Sequence, residues 1–171
     1  MNNWKPIKEV YNYDDEESFY CSGDYEPLLE SYGYLIVEKE DDHDYQGDSR
    51  VLYYDNINNK LGVLIFGWGS CSGCDALQAC SSLKDIEELR ESFHNNIRWF
   101  DSIYSLKEYI EEFDHEGQYY CHQTEWANFI NKVSTMILKL EEIITHPNAI
   151  ELVSDNVFLR EFSKNNIKRN G

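Results

Sequence analysis

The hydrophobic pattern of the chain changes its period across residues 62–80, and this change constrains the fold more than any other feature. Before this stretch, short runs rich in aromatic and β-branched residues are typical of β-strands. After it, apolar residues recur every three or four positions, as in helices that bury one face. Strands followed by helices predict an α+β domain, in which an antiparallel sheet from the N-terminal half is covered on one face by helices from the C-terminal half.

Two β-like runs in the first half predict a hairpin. The sequence SRVLYYDN at residues 49–56 is followed by an Asn-rich connection and then by LGVLIFGWG at residues 61–69. Two such runs joined by a short turn of this composition are the pattern of an antiparallel hairpin. A further run, YGYLIVEKE at residues 32–40, predicts another strand.

Helices are predicted from residue 82 onward. Capping boxes, in which a serine is followed three residues later by an acid, indicate helix starts at Ser82 and Ser105. The longest predicted helix begins at Thr124 and must end by Pro147, because proline cannot extend the hydrogen-bond ladder. Its apolar stripe consists of Trp126, Phe129, Ile130, Val133, Met136, Ile137, Leu140 and Ile143.

Length and composition predict one folded domain with two extensions. A chain of 171 residues with 15% aromatic residues can bury a core. We expect a loosely ordered acidic segment at residues 1–17, a single α+β domain at residues 18–146, and a C-terminal extension at residues 147–171 that could form one short helix. No apolar run reaches the about 20 residues of a membrane span, and the start does not resemble a signal peptide, so we expect a cytoplasmic protein.

The sequence GWGSCSGCDALQAC at residues 67–80 places three cysteines after the last predicted strand. A thiol–disulfide site is one interpretation, because Cys71 and Cys74 at a helix start resemble the local layout of a thioredoxin-type site. The chain lacks, however, the preceding βα unit and the later proline-bearing strand of such a site. A zinc site is a second interpretation, although only one cysteine pair has the usual spacing. The candidate zinc ligands are Cys71, Cys74, Cys80, His94, Cys121 and His122.

A buried structural turn is the third interpretation, and the sequence favours it. Glycines let the backbone bend sharply between strand and helix, and free cysteine behaves as a small hydrophobic residue. In this interpretation a helix begins within CDALQAC and the inward-facing side chains are Cys74, Ala76, Leu77 and Cys80. We therefore expect no cofactor and no catalytic residue, with zinc as the alternative.

The formal charge of −17 bears most directly on function. Such a charge can serve only to keep the chain soluble. It also repels nucleic acid and anionic lipid, and it favours a basic protein as partner. Thirteen tyrosines add side chains that are enriched at protein interfaces. We expect a non-enzymatic binding protein that docks on the nucleic-acid-binding surface of another protein and inhibits it; the alternative is a small zinc- or cysteine-dependent enzyme. The acidic side chains expected to contact the partner are Asp14, Asp15, Glu16, Glu17, Asp41, Asp42, Asp44 and Asp48.

Four segments between residues 44 and 122 carry a resemblance to a known family. They are DYQGDSRVLYYD, GWGSCSGCDALQAC, IRWFDS and HEGQYYCH. Together they resemble an uncharacterised family of small acidic proteins from bacteria and bacteriophages. The resemblance implies a bacterial or phage origin and an intracellular setting in a bacterial cell, and it brings no activity, ligand or site with it.

Overall fold

The computed structural model describes residues 4–11, 23–112, 122–146 and 156–167. The α+β class predicted from the sequence is confirmed. Within the described ranges, none of the helices has both the length and the apolar character needed to cross a membrane. In chain order the elements are α1 (Ile7–Val10), α2 (Glu26–Glu30), β1 (Leu35–Asp41), β2 (Gly47–Asp55), β3 (Lys60–Trp68), α3 (Leu83–Asn95), β4 (Arg98–Phe100), α4 (Ile103–Glu112), α5 (Gln123–Thr145) and α6 (Val157–Ile167).

The strands form an antiparallel sheet in the order β1-β2-β3-β4. The predicted hairpin is confirmed as β2 and β3, which pair from Gly47 opposite Trp68 to Asp55 opposite Lys60. In the connecting turn Asn59 has a φ of 55°, a left-handed conformation that asparagine adopts more readily than most residues. The Asn-rich composition of this connection therefore has a direct conformational reason.

The strand β4 was not predicted. It consists of three residues and pairs with the start of β3, where Phe100 lies opposite Leu61 and Arg98 opposite Val63. A run this short does not show the alternation over four to eight residues by which strands are recognised. It also lies between α3 and α4, in the part of the sequence where the apolar pattern predicts helices.

The sheet is covered on both faces, and the expectation of a single covered face is wrong. All nine residues of the central strand β2 are buried. Leu52 and Tyr54 pack into one apolar cluster with α4, α5 and α6, whereas Val51 and Tyr53 pack into a second cluster with α1, α2 and α3. Successive side chains of a strand point to opposite faces, so β2 supplies both clusters.

Parts of both predicted extensions pack on the domain. In the N-terminal segment, Ile7 is buried and the backbone N–H of Lys5 donates to the carbonyl of Ser31 at 2.8 Å. The second cluster therefore includes residues that the sequence assigned to a loosely ordered segment. In the C-terminal segment, α6 contributes three side chains to the first cluster, namely Phe158, Leu159 and Phe162.

Two of the predicted helix starts are shifted. The prediction holds for α3, which follows its capping residue Ser82. Helix α4 begins earlier than predicted, since the backbone N–H of Ser105 donates to the Oγ of Ser102 at 3.1 Å and Ser105 lies inside the helix. Helix α5 follows His122 rather than Thr124, and His122 makes no side-chain capping hydrogen bond. The residue before the helix thus lies three positions earlier than predicted in α4 and two positions earlier in α5.

The apolar stripe predicted for the longest helix is confirmed in α5. All its members except Ile130 are buried, and Ile130 is half-buried against the same cluster. This helix contacts β1 and α4 and forms much of the cover over one face of the sheet. These contacts explain why apolar residues recur with a period of 3.6 along the whole of α5.

Replacing Phe129, whose side chain has no exposed surface, tests this packing. We expect Phe129→Ala to lower the free energy of unfolding by about 3–5 kcal/mol, because the cavity in the middle of α5 cannot collapse completely. Chemical denaturation followed by circular dichroism measures the change. The matched control is Leu138→Ala on the same helix, where the side chain is 61% exposed, and we expect a change within about 0.5 kcal/mol. Equal effects of the two substitutions would contradict the packing of α5 on the sheet.

Candidate functional site

The segment between β3 and α3, residues 69–82, carries the three described cysteines. It consists of consecutive turns rather than of the predicted helix start. The backbone N–H groups of Cys74 and Asp75 both donate to the carbonyl of Cys71, at 2.9 and 2.8 Å. A second turn follows, in which the N–H of Ala79 donates to the carbonyl of Asp75 at 3.0 Å. We call residues 69–80 the cysteine turn.

The buried carboxylate of Asp75 holds the cysteine turn together. Its Oδ2 accepts from the backbone N–H of Gly69 at 2.9 Å, and its Oδ1 accepts from the N–H of Gln78 at 2.7 Å. The hydroxyl of Tyr25 also donates to Oδ1, at 3.2 Å, and accepts from the N–H of Leu77 at 3.1 Å. Burial raises the pKa of Tyr25, so this hydroxyl keeps its proton. The turn is thus fixed to the residue that precedes α2.

Gly69 lets the end of β3 approach the turn very closely. A Cβ atom at this position would lie 2.4 Å from the carbonyl oxygen of Cys74 and 2.6 Å from its Sγ. Any other residue at this position would push the two backbone segments apart. The glycine after Trp68 is therefore required by the fold of the turn.

Cys71 and Cys74 are exposed, with 3.0 Å between their Sγ atoms. The hydrogen bond from the thiol of Cys71 lowers the pKa of Cys74, and backbone groups of Cys71 and Ser70 add to the effect. Cys80 differs from this pair, because it is half-buried and its Sγ donates to the carbonyl of Ala76 at 3.4 Å. The structure thus separates a surface pair from a third thiol.

These positions correct the interpretation of a buried structural turn. Of the four side chains expected to face inward, only Leu77 is fully buried. Cys74 and Ala76 are exposed because the segment does not form the helix that would have turned them towards the sheet. The adjacent pair of thiols therefore lies at the surface, where other molecules can reach it.

The predicted zinc ligands do not come together in the described part of the chain. No group of three potential ligand atoms there includes a cysteine or His94. His94 instead lies among Trp4, Tyr32, Tyr34 and Trp99, with its Nε2 3.0 Å from the hydroxyl of Tyr34. Burial lowers the pKa of His94, which favours the neutral ring. Cys121 lies outside the described residues.

The predicted partner-binding acids divide into three groups. Asp14, Asp15, Glu16 and Glu17 lie outside the described residues. Asp42 and Asp48 are only 3% exposed, so their assignment to a docking surface is corrected. Asp41 is half-buried and its Oδ2 lies 2.8 Å from the Nζ of Lys39, whereas Asp44 is exposed.

Asp42 is buried because it neutralises Arg50, whose side chain in β2 has no exposed surface. The Nη1 of Arg50 donates to the Oδ1 of Asp42 at 2.7 Å, and the backbone N–H of Asp48 donates to Oδ2 at 2.7 Å. The guanidinium also lies over the ring of Trp126, 5.5 Å from its centroid. Position 47 must be a glycine for Asp42 to lie here, since a Cβ at Gly47 would collide with the Cβ of Asp42 at 2.4 Å. A buried charge requires a paired and hydrogen-bonded partner of this kind.

Sequence reasoning missed the residues that organise these contacts. Asp75 lies within the cysteine motif, directly after Cys74, where the sequence predicts a helix start rather than a turn. Arg50 is also present in the sequence as the one cation of the strand predicted at residues 49–56. A cation at such a position indicates a buried ion pair, and the acids of the adjacent loop were its nearest candidates.

Comparisons with known proteins add no assignment, since no family, curated protein or solved structure matches the chain. The resemblance to small acidic proteins of bacteria and phages therefore stays a prediction.

The ion pair between Asp42 and Arg50 is expected to contribute strongly to stability. In Asp42→Asn the buried guanidinium loses its paired anion, and we expect the free energy of unfolding to fall by about 3 kcal/mol or more. Urea denaturation at neutral pH measures the loss. The control is Asp44→Asn in the same loop, where the exposed carboxylate should contribute within about 0.5 kcal/mol. Unchanged stability of Asp42→Asn would show that another carboxylate balances Arg50.

Proposed function

We propose that Cys71 and Cys74 form a redox-active dithiol that exchanges electrons with disulfides of other proteins. The observation that carries the proposal is the 3.0 Å distance between two exposed Sγ atoms in a Cys-X-X-Cys sequence. A disulfide bond is about 2.05 Å long, so closing the bond needs an approach of only about 1 Å. Small side-chain rotations provide it without moving the core.

The exchange begins with the thiolate of Cys74, whose pKa is lowered by the neighbouring thiol. A lower pKa raises the fraction of thiolate near neutral pH, and the thiolate is the nucleophile. Cys74 is therefore the attacking residue and Cys71 the resolving residue. In the thioredoxin-type layout considered from the sequence, a helix start lowers the pKa of the first cysteine; here a hydrogen bond within a turn lowers that of the second.

Each step balances in atoms and electrons. The Cys74 thiolate attacks one sulfur of the partner disulfide, so that a mixed disulfide forms and one partner thiolate leaves. Cys71 then loses its proton and attacks the Sγ of Cys74, which forms the Cys71–Cys74 disulfide and releases the second partner thiolate. The dithiol gives up two electrons and two protons, and the partner gains two thiols. The reverse sequence oxidises a partner dithiol.

The cysteine turn is suited to repeated exchange. Asp75 and Tyr25 fix the backbone on both sides of the pair through buried hydrogen bonds. The two sulfur atoms lie outside both apolar clusters, so oxidation does not disturb the packing. In the reducing cytoplasm of a bacterial cell, where we place the protein, the resting form is the dithiol.

The rate of alkylation and the products of oxidation test the proposal. At about pH 6 Cys74 should react with iodoacetamide faster than Cys80, because its thiolate fraction is larger. Equilibration with mixtures of reduced and oxidised glutathione should give a two-electron transition that ends in the Cys71–Cys74 disulfide. Peptide mass spectrometry identifies the modified residue and the bond.

Single substitutions provide the controls for this experiment. Cys80→Ser should keep the transition, whereas Cys71→Ser and Cys74→Ser should each abolish it and leave a mixed disulfide with glutathione. Equal alkylation rates of Cys74 and Cys80, together with intermolecular disulfides as the only oxidation product, would refute the dithiol function.

Docking on a basic protein is a second candidate function, and the loop between β1 and β2 favours it. Tyr45 is 80% exposed and follows the exposed Asp44, whose Oδ1 accepts from the Tyr45 backbone N–H at 2.7 Å. An exposed tyrosine beside an acid supplies both contact area and charge for a basic partner. The partner in this proposal is a nucleic-acid-binding protein that the acidic chain inhibits.

A competition assay tests docking. The double variant Asp44→Asn/Tyr45→Ala should bind a basic partner retrieved from bacterial lysate more slowly, and the difference should shrink at high salt because screening removes electrostatic steering. The matched control is Tyr104→Ala/Glu108→Gln, which removes an exposed tyrosine and an exposed acid from α4. The parent should displace a DNA duplex from the partner. Simultaneous binding of both ligands would exclude inhibition by nucleic-acid mimicry.

A further inference from the structure

We propose that Asp42, His122 and Glu125 form a binding site for a divalent metal ion, and that the donor set suits Zn²⁺. One ligand atom from each residue lies within 4.8 Å of the other two. In the described part of the chain, this is the one group of three or more histidine, cysteine and carboxylate ligands with such spacing. The site is separate from the cysteine turn and does not depend on its function.

Two distant parts of the chain create the site. Asp42 directly follows β1, whereas His122 is the residue before α5 and Glu125 lies in the first turn of that helix. Residues three positions apart lie on the same side of a helix, so His122 and Glu125 both face the end of the sheet that carries Asp42. The fold thus aligns ligands that the sequence separates by about eighty residues.

The carboxylate of Asp42 is already oriented. Its side chain has no exposed surface, and its oxygens accept from the Nη1 of Arg50 and from the backbone N–H of Asp48, at 2.7 Å each. Metal-binding carboxylates are commonly held by such outer hydrogen bonds, which fix the direction of the remaining lone pairs. The Oδ2 of Asp42 lies on the side of His122.

The gap between Asp42 and His122 has the size of a metal-bridged contact. Oδ2 and Nε2 are 3.9 Å apart, which is too long for a hydrogen bond. Zinc–ligand bonds of about 2.0–2.2 Å place two ligand atoms of a tetrahedral site about 3.3–3.6 Å apart. His122 and Glu125 are half-buried, so rotation of these two side chains can close the small difference while Asp42 stays fixed.

Charge and donor chemistry select the class of ion. The two carboxylates outweigh the single charge of Arg50, and the cluster therefore attracts a cation. Mg²⁺ and Ca²⁺ take oxygen ligands, whereas an imidazole nitrogen combined with carboxylates suits zinc and its neighbours among the transition metals. Three protein ligands leave a fourth position for water or for another ligand.

Metal titration of a variant without the surface dithiol tests the site. In Cys71→Ser/Cys74→Ser, isothermal titration with Zn²⁺ should show one site per chain. On this background His122→Ala and Glu125→Gln should each weaken binding at least about tenfold. His146→Ala, which removes an exposed histidine at the other end of α5, should leave the affinity unchanged. Co²⁺ bound to the same variant should give ligand-field bands without a sulfur-to-metal charge-transfer band.

Two results would overturn the proposal. One is loss of Zn²⁺ binding in Cys71→Ser/Cys74→Ser, which would place the metal on the thiols. The other is equal affinity of Glu125→Gln and its background, which would reduce Glu125 to a favourable charge at the start of α5. Glu125→Gln keeps the size of the side chain, so it decides the question even if His122→Ala alters the fold, and circular dichroism confirms the helix content of each variant.

Discussion

The burial of β2 on both faces is the constraint on which the rest of the structure depends. Every side chain of this strand packs inside the protein, and several of its polar groups make specific hydrogen bonds there. The hydroxyl of Tyr53 donates to the carbonyl of Leu29, and the hydroxyl of Tyr54 donates to Asn59 while accepting from Asn165. These bonds connect the strand to α2, to its own hairpin turn and to α6. Arg50 is the most demanding case, because a buried guanidinium requires a buried anion, and this requirement draws Asp42 into the protein.

The sequence predicts those elements in which the apolar residues keep one period, of two or of 3.6, over many positions. The β2–β3 hairpin and α5 both meet that condition, and both were located from the sequence. Of the three helices on the second face, the sequence predicts only α3, because α1 and α2 have four and five residues, too few for a period of 3.6 to show. That layer turns an apparently one-sided sheet into a two-sided one. The apolar run of β2 agrees with burial on both faces, since Val51, Leu52, Tyr53 and Tyr54 leave no polar face for solvent.

The candidate sites were less predictable than the fold because they depend on single side chains. Acidic side chains are usually exposed, so the sequence predicts exposure for Asp42 and Asp48. Their position beside Arg50 depends on the fold and cannot be seen in the local sequence. The spacing of CDALQAC fits a helix, yet Asp75 accepts two backbone N–H groups and stabilises turns instead. Asp side chains compete with helical hydrogen bonds in this way. The cysteine pair itself was identified from its Cys-X-X-Cys spacing, whereas its exposure followed only from the turn.

The register of the hairpin places the exposed chemical groups at one end of the sheet. Gly47 lies opposite Trp68, so the loop between β1 and β2 emerges beside the strand end that enters the cysteine turn. The opposite end of the hairpin is closed by α6, where the Nδ2 of Asn165 donates to the carbonyl of Asn56 at 2.9 Å. An acidic loop carrying Tyr45 and a surface dithiol thus lie at the same end of the hairpin. A basic partner that docks on the loop would bring its own disulfide to the side of the molecule on which Cys71 and Cys74 lie, so the two candidate functions can be successive steps of one encounter. Docking would supply selectivity to the exchange, because the two exposed thiols by themselves can meet many disulfides.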